Sequence, residues 1–160
     1  MCVEKLSAPD LDEAVALAGL CFGLEWEEQA RKELGQSLNN TSAYPNAVFG
    51  MRQDGHLIGL GAVLTSWFRD NTYALSWVCI HPAHRHQGLG RTMATHCLNE
   101  ATNRVRRGQQ SGVVLLSTEK NRFYQELGFK TVAAHDNDWK LMLKEIDIHA
   151  ADRQQKEMAL

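Results

Sequence analysis

One stretch limits the folds open to this chain more than any other. An apolar run at 75–80 is followed by His81-Pro82, then by Gly88-Leu89-Gly90, then by Leu89, Met93, Cys97, Ala101 and Val105 at steps of four. Apolar residues at that spacing form one stripe of a helix. Arg106-Arg107-Gly108 closes the pattern with the cations and glycine that a helix C-terminus favours. The stretch is thus a strand joined through a glycine turn to a one-faced helix. The two glycines add a chemical constraint. Without side chains there, successive backbone N–H groups converge at the positive end of the helix dipole, a seat for a phosphate or pyrophosphate. Arg85 and Arg91 flank the turn and add charge-assisted hydrogen bonds. The common phosphate loops do not fit, because Met93 stands where a dinucleotide fingerprint needs a third Gly or Ala and no Gly-Lys-Ser/Thr follows.

The rest of the chain surrounds that join. Asp10, with Glu13 three residues on, reads as a helix cap and its capping-box partner, and Leu11, Val15 and Ala18 share a face, which predicts a helix over about 10–21. Trp26, Ala30, Leu34 and Leu38 predict a second helix, broken at Asn39-Asn40. Runs at 46–51, 56–68 and 72–80, separated by Gln53-Asp54-Gly55 and Arg69-Asp70-Asn71, predict a three-stranded antiparallel meander. Val113-Val114-Leu115-Leu116 suits a buried strand. A helix is expected around 121–127, stopped by Gly128, and strands near 129–133 and 139–143 complete the sheet. Residues 149–160 are polar and are expected to fray or to form a short helix.

Composition narrows the function. The 160 residues fit one domain, expected at 1–146 with 147–160 as a polar tail. A formal charge of −2 gives no global field for a polyanionic duplex or an anionic membrane, so nucleic acid is disfavoured as a partner. Cysteines 2, 21, 79 and 97 lack Cys-x-x-Cys pairing and read as reduced, buried thiols of a cytosolic chain. No stretch approaches about 18 uncharged apolar residues and Glu4 interrupts any leader, so the expected location is cytoplasmic, with neither export nor membrane spanning. His81, His84 and His86 are close in sequence, but metal ligands at the mouth of an anion loop would compete with the anion, and no metal is assigned.

The run Arg85-x-x-Gly88-x-Gly90, with its preceding strand and following helix, resembles the acetyl-CoA signature of the GNAT superfamily of N-acetyltransferases. Asn121-Arg122-Phe123-Tyr124-Gln125-Glu126-Leu127-Gly128-Phe129 is similar to that family's second landmark, and the order of strands and helices extends the resemblance over 3–143. The resemblance implies an α/β (α+β) fold: a mixed, mostly antiparallel sheet of six to seven strands, splayed between the fourth and fifth, flanked by about four helices. It implies acetyl-CoA as cosubstrate. The backbone of Arg85, His86, Gln87, Gly88, Leu89, Gly90 and Arg91 would cradle the CoA pyrophosphate, and the edge of Trp77-Val78-Cys79-Ile80 would pair with the pantetheine arm. A bulge in that strand would turn the N–H of Val78 or Cys79 toward the thioester carbonyl as an oxyanion donor. Asn121 matches a frequent cofactor contact, and Tyr124 matches the tyrosine general acid that protonates the departing thiolate. A primary amine would attack directly, with no covalent enzyme intermediate.

That amine, with a pKa of about 10, must first lose a proton. Family members often carry an acid or histidine on the inward face of the fourth strand, where this chain has Ala74 and Ser76. A water chain, Glu25, Glu119 or His81 remain as routes. Glu25, Glu27, Glu28, Asp136 and Asp138 lie in segments that vary in the family. They read either as a receiver for a polycationic amine or as a solvated acidic face. Trp26, Trp67, Phe68 and Tyr73 read either as walls of an acceptor pocket or as core. The expected function is an acetyl-CoA-dependent N-acetyltransferase acting on a small amine: an aminoglycoside, a polyamine or an amino-acid-like compound. The alternatives are a protein N-terminal or lysine acetyltransferase and a non-catalytic acyl-CoA sensor. Dimers are frequent in the resembled family, so a homodimer is a further expectation.

Overall fold

The computed structural model describes residues 1–39, 41 and 44–159. In chain order the elements are β1 (Val3–Lys5), α1 (Leu11–Phe22), α2 (Glu27–Leu38), β2 (Ala47–Gln53), β3 (His56–Thr65), β4 (Thr72–Ile80), α3 (Leu89–Arg107), β5 (Gly112–Thr118), α4 (Asn121–Gln125), β6 (Lys130–Ala134), β7 (Lys140–Ile146) and α5 (Ala150–Met158). Hydrogen-bonded neighbours follow the order β1-β2-β3-β4-β5-β7-β6. The β1–β2, β2–β3, β5–β7 and β6–β7 pairs are antiparallel, and β4–β5 is parallel. This is the mixed sheet expected from the sequence.

The chain divides into two compact units, Met1–Thr65 with Leu75–Asn99, and Ser66–Ala74 with the chain from Glu100 onward. In the first, α1 buries Ala14, Val15, Leu17 and Ala18, and α2 buries Ala30, Leu34 and Leu38, in one cluster with Val48, Leu57, Leu60, Ala62 and Trp77. Full burial of such an aliphatic side chain stabilises by about 1.5–3 kcal/mol. The stripe Met93 and Cys97 of α3 closes on β3 because position 61 is glycine; a Cβ there would lie 2.7 Å from Cys97 Sγ.

The start of α1 differs from its sequence reading. Asp10 has helical backbone angles (φ −83°, ψ −5°) and makes no side-chain cap to α1. Its Oδ2 instead accepts the Ser7 N–H at 2.8 Å, at the head of a 3-10 turn spanning Ala8–Asp10. Glu13 is drawn away to Arg52, whose guanidinium meets Glu4 at 2.8 Å, Asp10 at 2.8 Å and Glu13 at 2.7 Å. Glu13 Oε1 also accepts the Leu57 N–H at 2.6 Å. Partial burial raises the Glu13 carboxyl, but the Leu57 N–H, the Arg52 guanidinium and the charge of His56 together hold it below its ordinary 4.5.

In the second unit the parallel ladder is short, pairing Thr72 with Val113, Tyr73 with Val114 and Ala74 with Leu115. Strand β5 pairs along its whole length with β7. Asn71 organises the entry to that ladder. Its Nδ2 donates to Val105 O at 3.3 Å and Gln110 O at 2.9 Å, while its carbonyl accepts the Val113 N–H at 3.0 Å. A Cβ at Gly112 would strike that carbonyl, which fixes glycine at the start of β5.

Two further readings need correction. Strand β3 ends at Thr65 rather than at Phe68, because Ser66 N–H donates to Thr72 O and the chain turns; Trp67 and Phe68 are exposed and stack edge to face. Cys2 is exposed and Cys21 and Cys79 are half-buried; only Cys97 is a fully buried thiol among the four. In the polar tail, residues 150–158 form α5, the short helix that was one of the two expectations there. Helix α2 gives way at Asn39, whereas Asn40 of the expected break and the terminal Leu160 lie outside the described residues. No helix among the described residues is long and apolar enough to cross a membrane.

Candidate active site

Strand β4 carries a defect where the site was expected. Side chains of a regular strand alternate between faces, yet from Leu75 onward the buried positions are Leu75, Trp77 and then Ile80, so the parity slips by one after Trp77. Trp77 has φ 55°, in the left-handed region that costs a non-glycine residue about 1–2 kcal/mol. The surroundings hold it there. Its indole Nε1 donates to Glu33 Oε2 at 2.8 Å, and its ring meets Phe22 edge to face at 5.6 Å. Glu33 Oε1 is itself engaged by Gln29 Nε2 at 2.8 Å. The slip is the signature of a β-bulge, which leaves one backbone position out of the ladder. Val78 and Cys79 follow it, both half-buried.

Beyond β4 the chain is pinned and then opened. His81 N–H donates to Ile58 O at 2.7 Å, and His81 Nδ1 accepts the Ala83 N–H at 3.1 Å, so this imidazole serves the 3-10 turn Pro82–His84. Arg85 Nε reaches back to Ile80 O at 3.0 Å, tying the loop to the strand end. His86 at φ 63° and Gly88 at φ 78° then reverse the backbone into α3. A Cβ on Gly88 would meet nothing within 4 Å, and one on Gly90 would find only Ile80 Cγ1 at 3.8 Å. The backbone conformation demands glycine at 88, while nothing within the folded chain demands it at 90. The space both leave lies over the first turn of α3, where the N–H groups of Leu89 and Gly90 have no carbonyl inside the helix to donate to. Residues 85–88 are exposed. Such a cradle, bounded by Arg85 and Arg91, fits a pyrophosphate.

Two thiols converge beside it. Cys21, at the end of α1, lies with Sγ 3.4 Å from Ile80 O, the carbonyl that also accepts from Arg85. The hydrogen bond with the Cys79 thiol, aided by the Arg85 guanidinium and opposed by partial burial, lowers Cys21 to about 7. That same bond, burial and the neighbouring Cys21 charge push Cys79 well above its ordinary value.

The remaining expected residues belong to the second unit. Asn121 opens α4 and Tyr124 is buried within it, its ring edge to face with Phe123 at 4.9 Å and Phe129 at 5.8 Å. Gly128, at φ 92°, ends the segment, with Gly128 N–H on Gln125 O at 3.0 Å and Phe129 N–H on Tyr124 O at 3.1 Å. That is the glycine-dependent helix stop the Leu-Gly-Phe sequence encodes. Lys144 Nζ caps the freed Leu127 carbonyl at 2.8 Å.

The structure thus gathers Val78 through Arg91 on one strand-to-helix join and Asn121 with Tyr124 on one short helix. Of the acidic candidates, Glu25, Glu28, Glu119, Asp136 and Asp138 are exposed and Glu27 is half-buried. Trp26 is exposed, and Tyr73 is half-buried with the Arg104 guanidinium 6.0 Å from its ring centre. Sequence reasoning missed Glu33 and the role of Cys21. Cys21 had a signal, since it continues the buried stripe Ala14, Leu17 and Ala18 at helical spacing. Glu33 had none, because a glutamate at the border of a buried stripe reads as solvated until its partner is known.

A family model described as the acetyltransferase (GNAT) family matches residues 11–129. No curated protein matches the sequence. Solved structures do match in fold. An aminoglycoside 6'-acetyltransferase of type Ii superposes with a TM-score of 0.72 at 17% identity, covering 92% of this chain and 98% of that one. The PaiA N-acetyltransferase from Thermoplasma acidophilum, in complex with coenzyme A, gives 0.70 at 18% identity, covering 91% and 99%. The ribosomal-protein-S18-alanine N-acetyltransferase from Escherichia coli gives 0.68 at 19% identity, covering 92% and 94%.

Proposed function

The chain belongs to the acetyltransferase (GNAT) family, whose enzymes use acetyl-CoA, and from that premise we propose that it acetylates a small primary amine by direct attack on the thioester. The observation that carries this reading is the cradle at 85–91, which lacks side chains at Gly88 and Gly90 and follows a bulged strand. Bound acetyl-CoA would supply an acetyl group activated as a thioester. The N–H groups of Leu89 and Gly90, with Arg85, His86, Gln87 and Arg91 around them, hold the pyrophosphate. The edge of β4 aligns the pantetheine arm, and the N–H of Val78 or Cys79 donates to the thioester oxygen as charge builds there. Asn121 contacts the cofactor, and Tyr124 delivers the proton that a leaving thiolate requires.

The exposed acidic side chains Glu25, Glu28, Asp136 and Asp138 support a cationic acceptor. One fold neighbour is named for an aminoglycoside and another for an alanine of ribosomal protein S18, so the two acceptor classes are separated by experiment. Calorimetric titration with CoA and acetyl-CoA, followed by turnover on a panel of polyamines, aminoglycosides and peptides, tests the proposal. Binding with turnover of small amines is the expected result. Turnover of peptides alone establishes the protein-acetylating alternative, and absence of CoA binding at millimolar ligand sinks the acyl-CoA reading.

A further inference from the structure

Direct acetyl transfer uses no thiol of the enzyme, yet Cys21 of α1 has its Sγ 3.4 Å from the carbonyl of Ile80, the residue next to Cys79 in β4, and the two thiols shift one another's titration. Cys21 Sγ and Arg85 Nε address the same Ile80 carbonyl, at 3.4 Å and 3.0 Å, which places a cation beside the thiol. Both residues are half-buried, and the attacking sulfur of Cys21 is the less enclosed of the two. A neighbouring cation favours the thiolate, the nucleophilic form, and a second thiol in contact supplies the resolving group that oxidisable cysteines need. The other two cysteines lack this arrangement: Cys97 is fully buried, and the exposed Cys2 has its Sγ near the Val3 carbonyl.

We propose that Cys21 and Cys79 form a dithiol modification site whose reagent class is the hydroperoxides, with Cys21 as the attacking sulfur and Cys79 as the resolving one. The Cys21 thiolate attacks the terminal peroxide oxygen, the O–O bond breaks, and the departing alkoxide or hydroxide takes a proton from solvent. Cys21 is left as a sulfenic acid. The Cys79 sulfur then displaces the sulfenic oxygen, the S–S bond forms, and that oxygen leaves with the Cys79 proton as water. Overall the two thiols lose two electrons and two protons, and the hydroperoxide becomes an alcohol, or water, plus one water. The Cys79 backbone belongs to the strand edge assigned to the pantetheine arm, so the crosslink also disturbs cofactor binding; this coupling rests on the proposed function.

The test treats the reduced full chain with a few equivalents of hydrogen peroxide, quenches, alkylates under denaturing conditions and maps the peptides without reductant. The expected result is a linked Cys21–Cys79 peptide that appears before oxidation at Cys2 and disappears with dithiothreitol. Cys21→Ser, confirmed folded by circular dichroism, should leave Cys79 as a free thiol under the same treatment. Oxidation falling first on Cys2, or sulfinic acid accumulating at Cys21 with Cys79 unmodified, overturns the site. CoA titration of both forms reads the coupling: the oxidised chain should bind about tenfold more weakly than the reduced one. Equal binding by the two forms overturns the coupling. If the reduced chain binds no CoA, the acyl-CoA reading fails while the peptide map still decides the dithiol.

Discussion

Trp77 answers two demands at once, a left-handed backbone and a large ring whose N–H finds Glu33. Glu33→Ala removes that acceptor from a nearly buried donor and should cost about 1–3 kcal/mol in denaturant unfolding. Glu33→Gln keeps an amide oxygen at the same reach and should lose markedly less; equal losses in the two variants would show that charge, rather than the indole bond, matters. Tyr124 is tested by removing only its oxygen. Tyr124→Phe retains the ring between Phe123 and Phe129 and should lower turnover by about 100- to 10,000-fold, with CoA affinity little changed. Activity within a factor of about two of the parent would reject the acid assignment. At this scale the helix that carries Tyr124 was legible through its neighbours Leu127-Gly128-Phe129. Glu33 stayed illegible because its meaning depends on a residue 44 positions away.

The join between β4 and α3 was legible because its signals are local: glycines at a turn, apolar steps of four, and basic residues at the helix end. Its two glycines separate by mutation. Gly88→Ala forces a Cβ onto a backbone at φ 78° and should cost about 1–2 kcal/mol in melting experiments. Gly90→Ala meets only an ordinary contact at 3.8 Å and should leave stability within about 0.5 kcal/mol, yet its methyl intrudes over the helix N-terminus and should weaken CoA in titrations. Unchanged CoA affinity in a stable Gly90→Ala chain would remove the cradle from that spot. The start of α1 and the end of β3 were misread for a common reason. Asp10 and Glu13 fit a capping box by spacing, and Trp67 and Phe68 fit a strand by composition. A guanidinium from β2 and a turn closed by Thr72 O decided otherwise.

Across the whole molecule, a formal charge of −2 is compatible with an anionic cofactor because the positive potential is local, gathered at one helix start with Arg85 and Arg91. Arg52 shows the complementary case, a single cation serving three carboxylates. Since Glu13 titrates below 4.5 when folded, its contribution is complete above about pH 4.5 and is lost as pH falls through the lower folded value. Thermal melts of the parent should therefore fall on acidification through that range. Arg52→Met should be about 1–2 kcal/mol less stable at neutral pH and show a shallower acid limb; parallel limbs would place the acid sensitivity elsewhere. The first compact unit is built from two separate stretches, Met1–Thr65 and Leu75–Asn99. On the ribosome, α1, α2, β2 and β3 emerge first and carry every buried member of their shared cluster except Leu6 and Trp77, whereas the face of β3 that meets Met93 and Cys97 waits for α3 up to residue 99 to clear the exit tunnel. A nascent chain stalled before that point is a substrate for chaperones, and one released after it holds every residue of the unit.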